Sequence, residues 1–494
     1  MHLSSRIMTA SVIGLLSSMP LLAQDVGGEI RSWIENEDLV GAELLIIRDG
    51  EAVVHDAYGW DDREAGTALQ KGLIYSLASL TKPVTALAIL MLVDEGILSL
   101  DDPASQYIPG FAGDPRATVH DLLAQTSGDG GEHGDGAYNV YDFETLEDWV
   151  QDWAATEATA EYGEFRYSNF NYAALGYIAQ RVSGVPFGEF VTRRILEPLG
   201  MEDTYVAFAP DSSWASRVAT SYTWDEKAGR YELFWAPDEP QRWAFFPAAF
   251  GLWGTAEDYA KFVTLWFDLG VARGGRLVSE SLVRSALAPQ GFQDGESVYG
   301  YGWFVGPVRT DDDLPLSFRH SGGRGTLAIG YPSDRGIIVY FTQSEIPPTH
   351  HLALSNRIEM SGLFHHPGPD MVWAAETDFV EASVHGAGQE DYEGLYRGTV
   401  DWLDGVDWEV RVWEADEVLQ MSGGRRGSLL HQGAHLVPLG SDRFVFGRYR
   451  DGDLVGVDPP AQVRFLHEAG QVAGVEVSFD GELAFVLEKI DVGG

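Results

Sequence analysis

The sequence predicts an α/β fold: an antiparallel sheet flanked by helices with an inserted, mainly helical lobe, followed by a C-terminal all-β barrel or sandwich module. Three patterns carry this prediction. A strand hairpin lies near the N-terminus, helical stretches fill the middle until strands resume near Phe318, and short strand-like runs take over after residue 391.

In chain order, Ala42 to Arg48 and Glu51 to Tyr58 are apolar-rich runs joined by Asp49-Gly50, a dipeptide that tolerates the positive φ of a tight hairpin turn. From Ser79 to Gly96 strong helix formers follow Pro83, and Gly96 terminates a helix that is apolar enough to be buried. Leu146 to Thr156, Tyr172 to Ser183 and Ala256 to Leu269 are helical stretches separated by long loops rich in Gly, Asp and Trp. Strands resume at Phe318, with Leu327 to Tyr331 and Gly336 to Thr342 flanking a turn at Pro332-Ser333-Asp334, and His351 to Phe364 reads as helical. In the last hundred residues Trp408, Val410 and Val412 alternate with polar or aromatic neighbours. Similar runs recur at Arg443 to Tyr449, Gln462 to Leu466, Val472 to Phe479 and Leu483 to Leu487.

These runs divide 494 residues, too many for one compact core, into four parts. Residues 1–23 hold Arg6, an apolar run from Ile13 to Leu22 and a small residue at Ala23, the pattern of a secretory signal peptide. Residues 24–366 form the α/β domain, 367–390 an aperiodic linker with Pro, Gly and Ala, and 391–494 the all-β module. A secreted or periplasmic protein is expected. No later segment reaches the ~18–20 apolar residues of a transmembrane helix, so no span is expected after signal cleavage. The formal net charge of −42 repels phosphate backbones and argues against nucleic-acid binding. With no cysteine, thiol catalysis and thiolate metal sites are excluded.

One short motif can carry chemistry. Ser79-Leu80-Thr81-Lys82 sets a hydroxyl and an amine three residues apart at a helix start, hence on one face. Unpaired N–H groups at that terminus favour developing negative charge, and a desolvated Lys can lose its proton near neutral pH. Alone, Ser-x-x-Lys also describes a helix-capping Ser beside an exposed Lys. Two further motifs follow in order: Tyr167-Ser168-Asn169 in the middle lobe and His320-Ser321-Gly322 on a late strand.

This trio resembles the serine β-lactamase and penicillin-binding-protein family, particularly the class C β-lactamase-related branch that includes esterases, D-aminopeptidases and DD-peptidases. Pro198-Leu199-Gly200-Met201 with Asp203-Thr204, the run from Gly251 to Asp258, and Tyr301-Gly302-Trp303 agree with it, so the resemblance covers residues 30 to 365. It implies a β-lactamase/transpeptidase-like fold in which Ser79 is the acylated nucleophile. Lys82 eases removal of the Ser79 proton, and Tyr167, as a phenolate beside the Lys82 cation, shuttles a proton to the leaving group. Asn169 orients Lys82 or the substrate amide. His320, Ser321 and Gly322 form the substrate-binding strand edge, where Gly322 and Gly323 allow close approach and the Gly323 N–H joins that of Ser79 as an oxyanion hole.

Departures from the family pattern bear on the substrate. His320 replaces a Lys common in lactamases, leaving the site partly cationic and less suited to anionic β-lactams. Gln125 stands where His is frequent, and Gln343 where Asn is frequent. The acidic, Gly-rich loop from Gly128 to Gly136 is read either as a lid on the cleft or as a solvated loop, and Trp253 and Trp303 as walls of the acyl pocket. No cofactor and no metal are expected. His350-His351 and His365-His366 lack the i, i+4 spacing that puts two imidazoles on one helical face, and Asp129, Glu132, His133 and Asp135 lack a regular calcium-loop pattern. The expected activity is that of a serine hydrolase working through an acyl-enzyme on an ester or a D-amino-acid or peptide amide. A β-lactamase or DD-carboxypeptidase, and a non-catalytic protein that binds peptidoglycan fragments, are the alternatives. Partners are therefore a small ester, peptide or β-lactam substrate and cell-wall peptides.

Overall fold

The strand Gly41–Arg48 pairs on one side with Glu51–Asp62, its hairpin partner, and on the other with Gly336–Thr342, nearly three hundred residues later. That second pairing closes the sheet around the helical insertion. The computed structural model describes residues 26–490 apart from 130–139, 240–243, 307–313, 345–353, 355–357, 359–362, 365–391, 401–405, 424–433 and gaps of one or two residues. The expected signal peptide, the linker, both His-His pairs and most of the helix expected at His351 to Phe364 lie outside the described residues.

Clustering of the chain gives two compact units, Met1–Ile346 with Leu354–His366, and Pro347–Ala353 with Pro367–Gly494. The first holds a nine-stranded antiparallel sheet. Its order runs Gly291–Gln293, Glu296–Tyr299, Phe304–Val305, Phe318–Gly322, Thr326–Tyr331, Gly336–Thr342, Gly41–Arg48, Glu51–Asp62, Thr67–Ala68. Every residue of Gly336–Thr342 is buried, consistent with its near-continuous apolar sequence: an interior strand covered on both faces has no need of polar alternation. The predicted hairpin turn is present, with Asp49 at φ 52° and Gly50 at φ 82°.

The helix Thr81–Asp94 is buried from Thr81 to Leu92, as expected of a helix that is apolar all round. It begins two residues later than its sequence suggests, because Ala78–Leu80 is a separate 3₁₀ turn. Against it pack Asn169–Ser183 and, beyond, Leu146–Ala154, whose Trp149 and Trp153 meet the Phe170 ring. Ala256–Phe267 lies against the sheet on Phe341 through Tyr259.

In the second unit eight strands from Gly394–Val400 to Glu482–Ile490 form a closed antiparallel barrel, which decides between the barrel and sandwich readings. Closure comes from pairing of the first strand with the last, Leu395 opposite Ile490. Tyr396, Val410, Val412, Met421 and Phe465 fill its interior.

The turn Gly322 to Thr326 at the sheet edge depends on Gly325, which has φ +81° and closes a backbone bond to Gly322. A Cβ there would collide with Thr342 Oγ1 and the Ser344 carbonyl, whereas a Cβ on Gly50, at nearly the same φ, meets nothing within 4 Å. Gly50→Ala therefore costs only the left-handed backbone penalty of about 1–2 kcal/mol. Gly325→Ala adds an overpacking cost of roughly 1–3 kcal/mol. Chemical denaturation of the two variants side by side measures the difference, and equal losses would show that the crowding at Gly325 is relieved at no cost.

Candidate active site

Ser79 sits in the 3₁₀ turn between a two-residue strand, Tyr75–Ser76, and the buried helix. The preceding Ala78 has φ 46°, a left-handed conformation that a residue with a Cβ adopts at a cost. The surrounding bonds hold it there. Leu77 N–H donates to the Leu252 carbonyl (2.9 Å), Thr326 Oγ1 donates to the Leu77 carbonyl (3.1 Å), and Tyr259 donates to the Leu80 carbonyl (2.8 Å). Sheet edge and helical lobe thus grip the turn from both sides.

One turn along, Lys82 is fully buried. Its Nζ lies 3.1 Å from Ser79 Oγ, 2.7 Å from Asn169 Oδ1 and 3.0 Å from the Ala249 carbonyl oxygen. No carboxylate is among these partners, so burial dominates and pushes the amine well below its usual pKa. The Ala249 carbonyl has no sequence signature. It is aimed by a turn in which Ala248 takes φ 64° and offers its own carbonyl to Thr85 Oγ1.

Tyr167 and Asn169 bracket the start of the helix Asn169–Ser183, whose cap is Ser168: its Oγ accepts the Phe170 N–H and donates to Asp129. Gln125, which departs from the family pattern, is the organising residue here. It bonds the Ser168 N–H and carbonyl and accepts from Asn171 Nδ2 at 2.7 Å, while Asn171 Oδ1 accepts from Ser127. Asp129 is the last described residue before 130–139, so the rest of the expected lid loop lies outside the described residues.

The Tyr167 ring passes 4.7 Å from Lys82 Nζ. Desolvation raises its phenol well above 10, partly offset by a hydrogen bond with Ser79. The ring keeps 36% of its surface exposed, so water reaches it and the shift is smaller than full enclosure would give. Both shifts run against the phenolate-beside-cation arrangement expected from the sequence: burial lowers the Lys82 amine and raises the Tyr167 phenol.

On the strand Phe318–Gly322, His320 is buried while Ser321 is exposed. His320 Nδ1 lies 2.8 Å from the Ser321 carbonyl and Nε2 lies 3.3 Å from the Tyr299 hydroxyl. Burial first, then the nearby Lys82, lower its pKa to about 3. The imidazole is neutral at physiological pH, not partly cationic. Gly322 is required by proximity: a Cβ would stand 2.5 Å from the Leu77 carbonyl and 3.1 Å from Ala78 Cβ, in the turn that carries Ser79. A Cβ on Gly323 would meet nothing within 4 Å, so its backbone borders open space.

Two expectations need correction. Trp303 is fully buried among Trp266, Phe262 and Phe318, and Trp253 is buried beside Phe208 and Trp235. Both are core residues rather than acyl-pocket walls: Trp253, on the short strand Trp253–Gly254, and Trp303, just before the strand Phe304–Val305, have their rings packed in the interior.

Residues 28–359 match the protein family described as Beta-lactamase. Esterase EstB of Burkholderia gladioli is 35% identical over 191 residues, 35% of this chain and 49% of the esterase. The chain thus spans about half that relative's length. Penicillin-binding protein 4* of Bacillus subtilis is 27% identical over 61% of this chain and 68% of its own. Among solved structures, the octameric penicillin-binding protein homologue from Pyrococcus abyssi superposes with a TM-score of 0.59 at 24% identity, covering 94% of this chain and 99% of its own.

The lowered His320 pKa has a signed effect on stability. Below its unfolded value of about 6.5 the unfolded chain gains a proton that the folded chain refuses until about pH 3. Stability is therefore lost as pH falls across that window, by up to about 1.4 kcal/mol per pH unit. In His320→Asn this contribution is gone, so the variant gains about 2–3 kcal/mol on the parent between pH 7 and 4.5. Denaturant unfolding of both at several pH values tests this. A difference that does not change with pH would mean that His320 titrates normally.

Proposed function

Because the chain belongs to the beta-lactamase family, we propose that it is a serine hydrolase that forms an acyl-enzyme on Ser79 and acts on ester or D-amino-acid and peptide amide bonds. The observation that carries this reading is the bonding of Lys82. A neutral amine has two N–H donors and one lone pair, and two of its three neighbours, Asn169 Oδ1 and the Ala249 carbonyl, only accept. Both donors are thereby used. In that neutral form the lone pair is free to face Ser79 Oγ, 3.1 Å away, so that Lys82 serves as the base and Ser79 as the proton donor.

As Oγ attacks the carbonyl carbon, its proton passes to Lys82 and the carbonyl π electrons move onto oxygen. The N–H groups of Ser79 and Gly323 are the donors proposed for that oxyanion. Collapse of the tetrahedral species breaks the bond to the leaving group, which takes a proton through the Tyr167 hydroxyl. The raised pKa of Tyr167 keeps that hydroxyl protonated and suits it to an acid's part. Water then repeats the sequence on the acyl-enzyme with Lys82 again as base. A neutral His320 offers no charge to a substrate carboxylate, which supports uncharged esters and amides over anionic β-lactams. The signal-like N-terminus supports placing this activity outside the cytoplasm.

Intact-protein mass and turnover of the parent and Ser79→Ala with a short-chain p-nitrophenyl ester, a D-Ala-D-Ala peptide and a chromogenic cephalosporin test the reading. Ester or peptide turnover that vanishes in the variant is expected. Rapid cephalosporin turnover would make the protein a lactamase, and no Ser79-dependent adduct with any of the three would count against catalysis. Because Lys82 must be uncharged to act, activity falls as pH drops through its lowered pKa. Lys82→Arg, charged at every accessible pH, loses roughly 10²–10⁴-fold in kcat. A pH–rate profile without an acidic limb, or an active Lys82→Arg, would remove Lys82 from the base role.

A further inference from the structure

A second group of chemistry-bearing side chains lies on the sheet outside the site described above. Glu43, on Gly41–Arg48, is 0% exposed. His55 on the neighbouring strand stands opposite Leu45, two residues from Glu43 and on the same face. His55 Nε2 lies 2.9 Å from Glu43 Oε1 and 3.7 Å from Oε1 of Glu257, which is 45% exposed on the helix Ala256–Phe267. One donor atom from each of the three falls within 4.8 Å of the others.

This arrangement is more than a His–carboxylate pair, because Glu43 Oε2 is buried and has no hydrogen-bond partner. The Tyr75 hydroxyl interacts with Glu43 but lacks hydrogen-bond geometry to it, and is likewise buried without a partner. A buried carboxylate oxygen left without a donor is costly, and a cation is one way to satisfy it. The spacing suits a small one. A tetrahedral centre with bonds of roughly 2.0–2.1 Å has donor–donor edges of about 3.3–3.4 Å, and the observed 2.9 and 3.7 Å lie on either side of that value.

We propose that Glu43, His55 and Glu257 are the protein ligands of a divalent metal site, with water completing the coordination on the exposed Glu257 side. One imidazole and two carboxylates suit a borderline cation of the Zn²⁺ class, since Mg²⁺ and Ca²⁺ prefer all-oxygen ligands. The metal would act as a clamp on the fold. Glu43 Oε1 also accepts the Gly72 N–H at 3.0 Å, and the chain from Gly72 runs through Tyr75–Ser76 into the nucleophile's turn. The first two sheet strands, the helix Ala256–Phe267 and the segment leading to Ser79 would thus be tied at one point. This departs from the sequence reading, which expected no metal and considered other histidines.

The test uses full-length, untagged protein stripped with a chelator and titrated with ZnCl₂ alone, by calorimetry and by thermal unfolding. One equivalent is expected to bind and, at about a hundredfold excess over Kd, to raise Tm by roughly 3–5 °C. Glu257→Ala, at a partly exposed position, and His55→Gln should each weaken binding at least tenfold, and Glu43→Gln should abolish it. If Glu43→Gln does not fold, the other two variants decide. Absence of saturable Zn²⁺ binding in the parent, or binding unchanged in both Glu257→Ala and His55→Gln, overturns the proposal. None of these readouts depends on hydrolytic activity, so the outcome is separable from the function proposed for Ser79.

Discussion

The burial of a single amine beside a single hydroxyl sets the terms for the rest of the first unit. Lys82 is held on a helix that is apolar on every side, and among the described residues its hydrogen-bond partners include no carboxylate. An amine so placed holds its proton less firmly than one in water, because the charge forfeits hydration. That burial is imposed by the fold. Its cost appears as backbone in unfavourable conformations, Ala78 on one side and Ala248 on the other, each with positive φ.

Those two strained alanines are held by bonds between parts of the chain far apart in sequence. Ala78 is pinned through its neighbour Leu77, whose carbonyl accepts from Thr326 on the sheet and whose N–H donates to Leu252, while Ala248 is fixed through Thr85 on the Lys82 helix itself. Neither strain could persist in an isolated segment. The site is a property of the packing between sheet edge and lobe, and Gly322 marks where the two come closest.

This dependence explains which features could be read in the sequence. The hairpin at Asp49-Gly50, the helix ending near Gly96 and the strand Gly336–Thr342 follow from local rules of turn chemistry and periodicity, and all three are present. The three catalytic motifs were visible because side-chain identity carries them. The Ala249 carbonyl was not, since any residue supplies a carbonyl and only the fold aims it. Gln125 was seen only as a departure, yet it joins Ser168 and Asn171 into one network, a role that depends on contacts more than forty residues apart. The phenolate assigned to Tyr167 relies on a charge on Lys82, and the burial that works against that charge leaves no mark in a short motif. Trp253 and Trp303 were misplaced because a tryptophan beside a glycine suits a cleft wall and a core equally well.

The closed barrel of the second unit carries a consequence of its own. Its first and last strands pair with each other, so no strand of that sheet needs a partner from elsewhere in the chain. A module whose hydrogen-bonding perimeter is complete can be gained, lost or exchanged as a cassette during evolution without leaving a raw edge behind. The nine-stranded sheet has no such freedom. Its interior strand Gly41–Arg48 is clasped by the strand that lies furthest away in sequence, which locks that unit into being inherited whole.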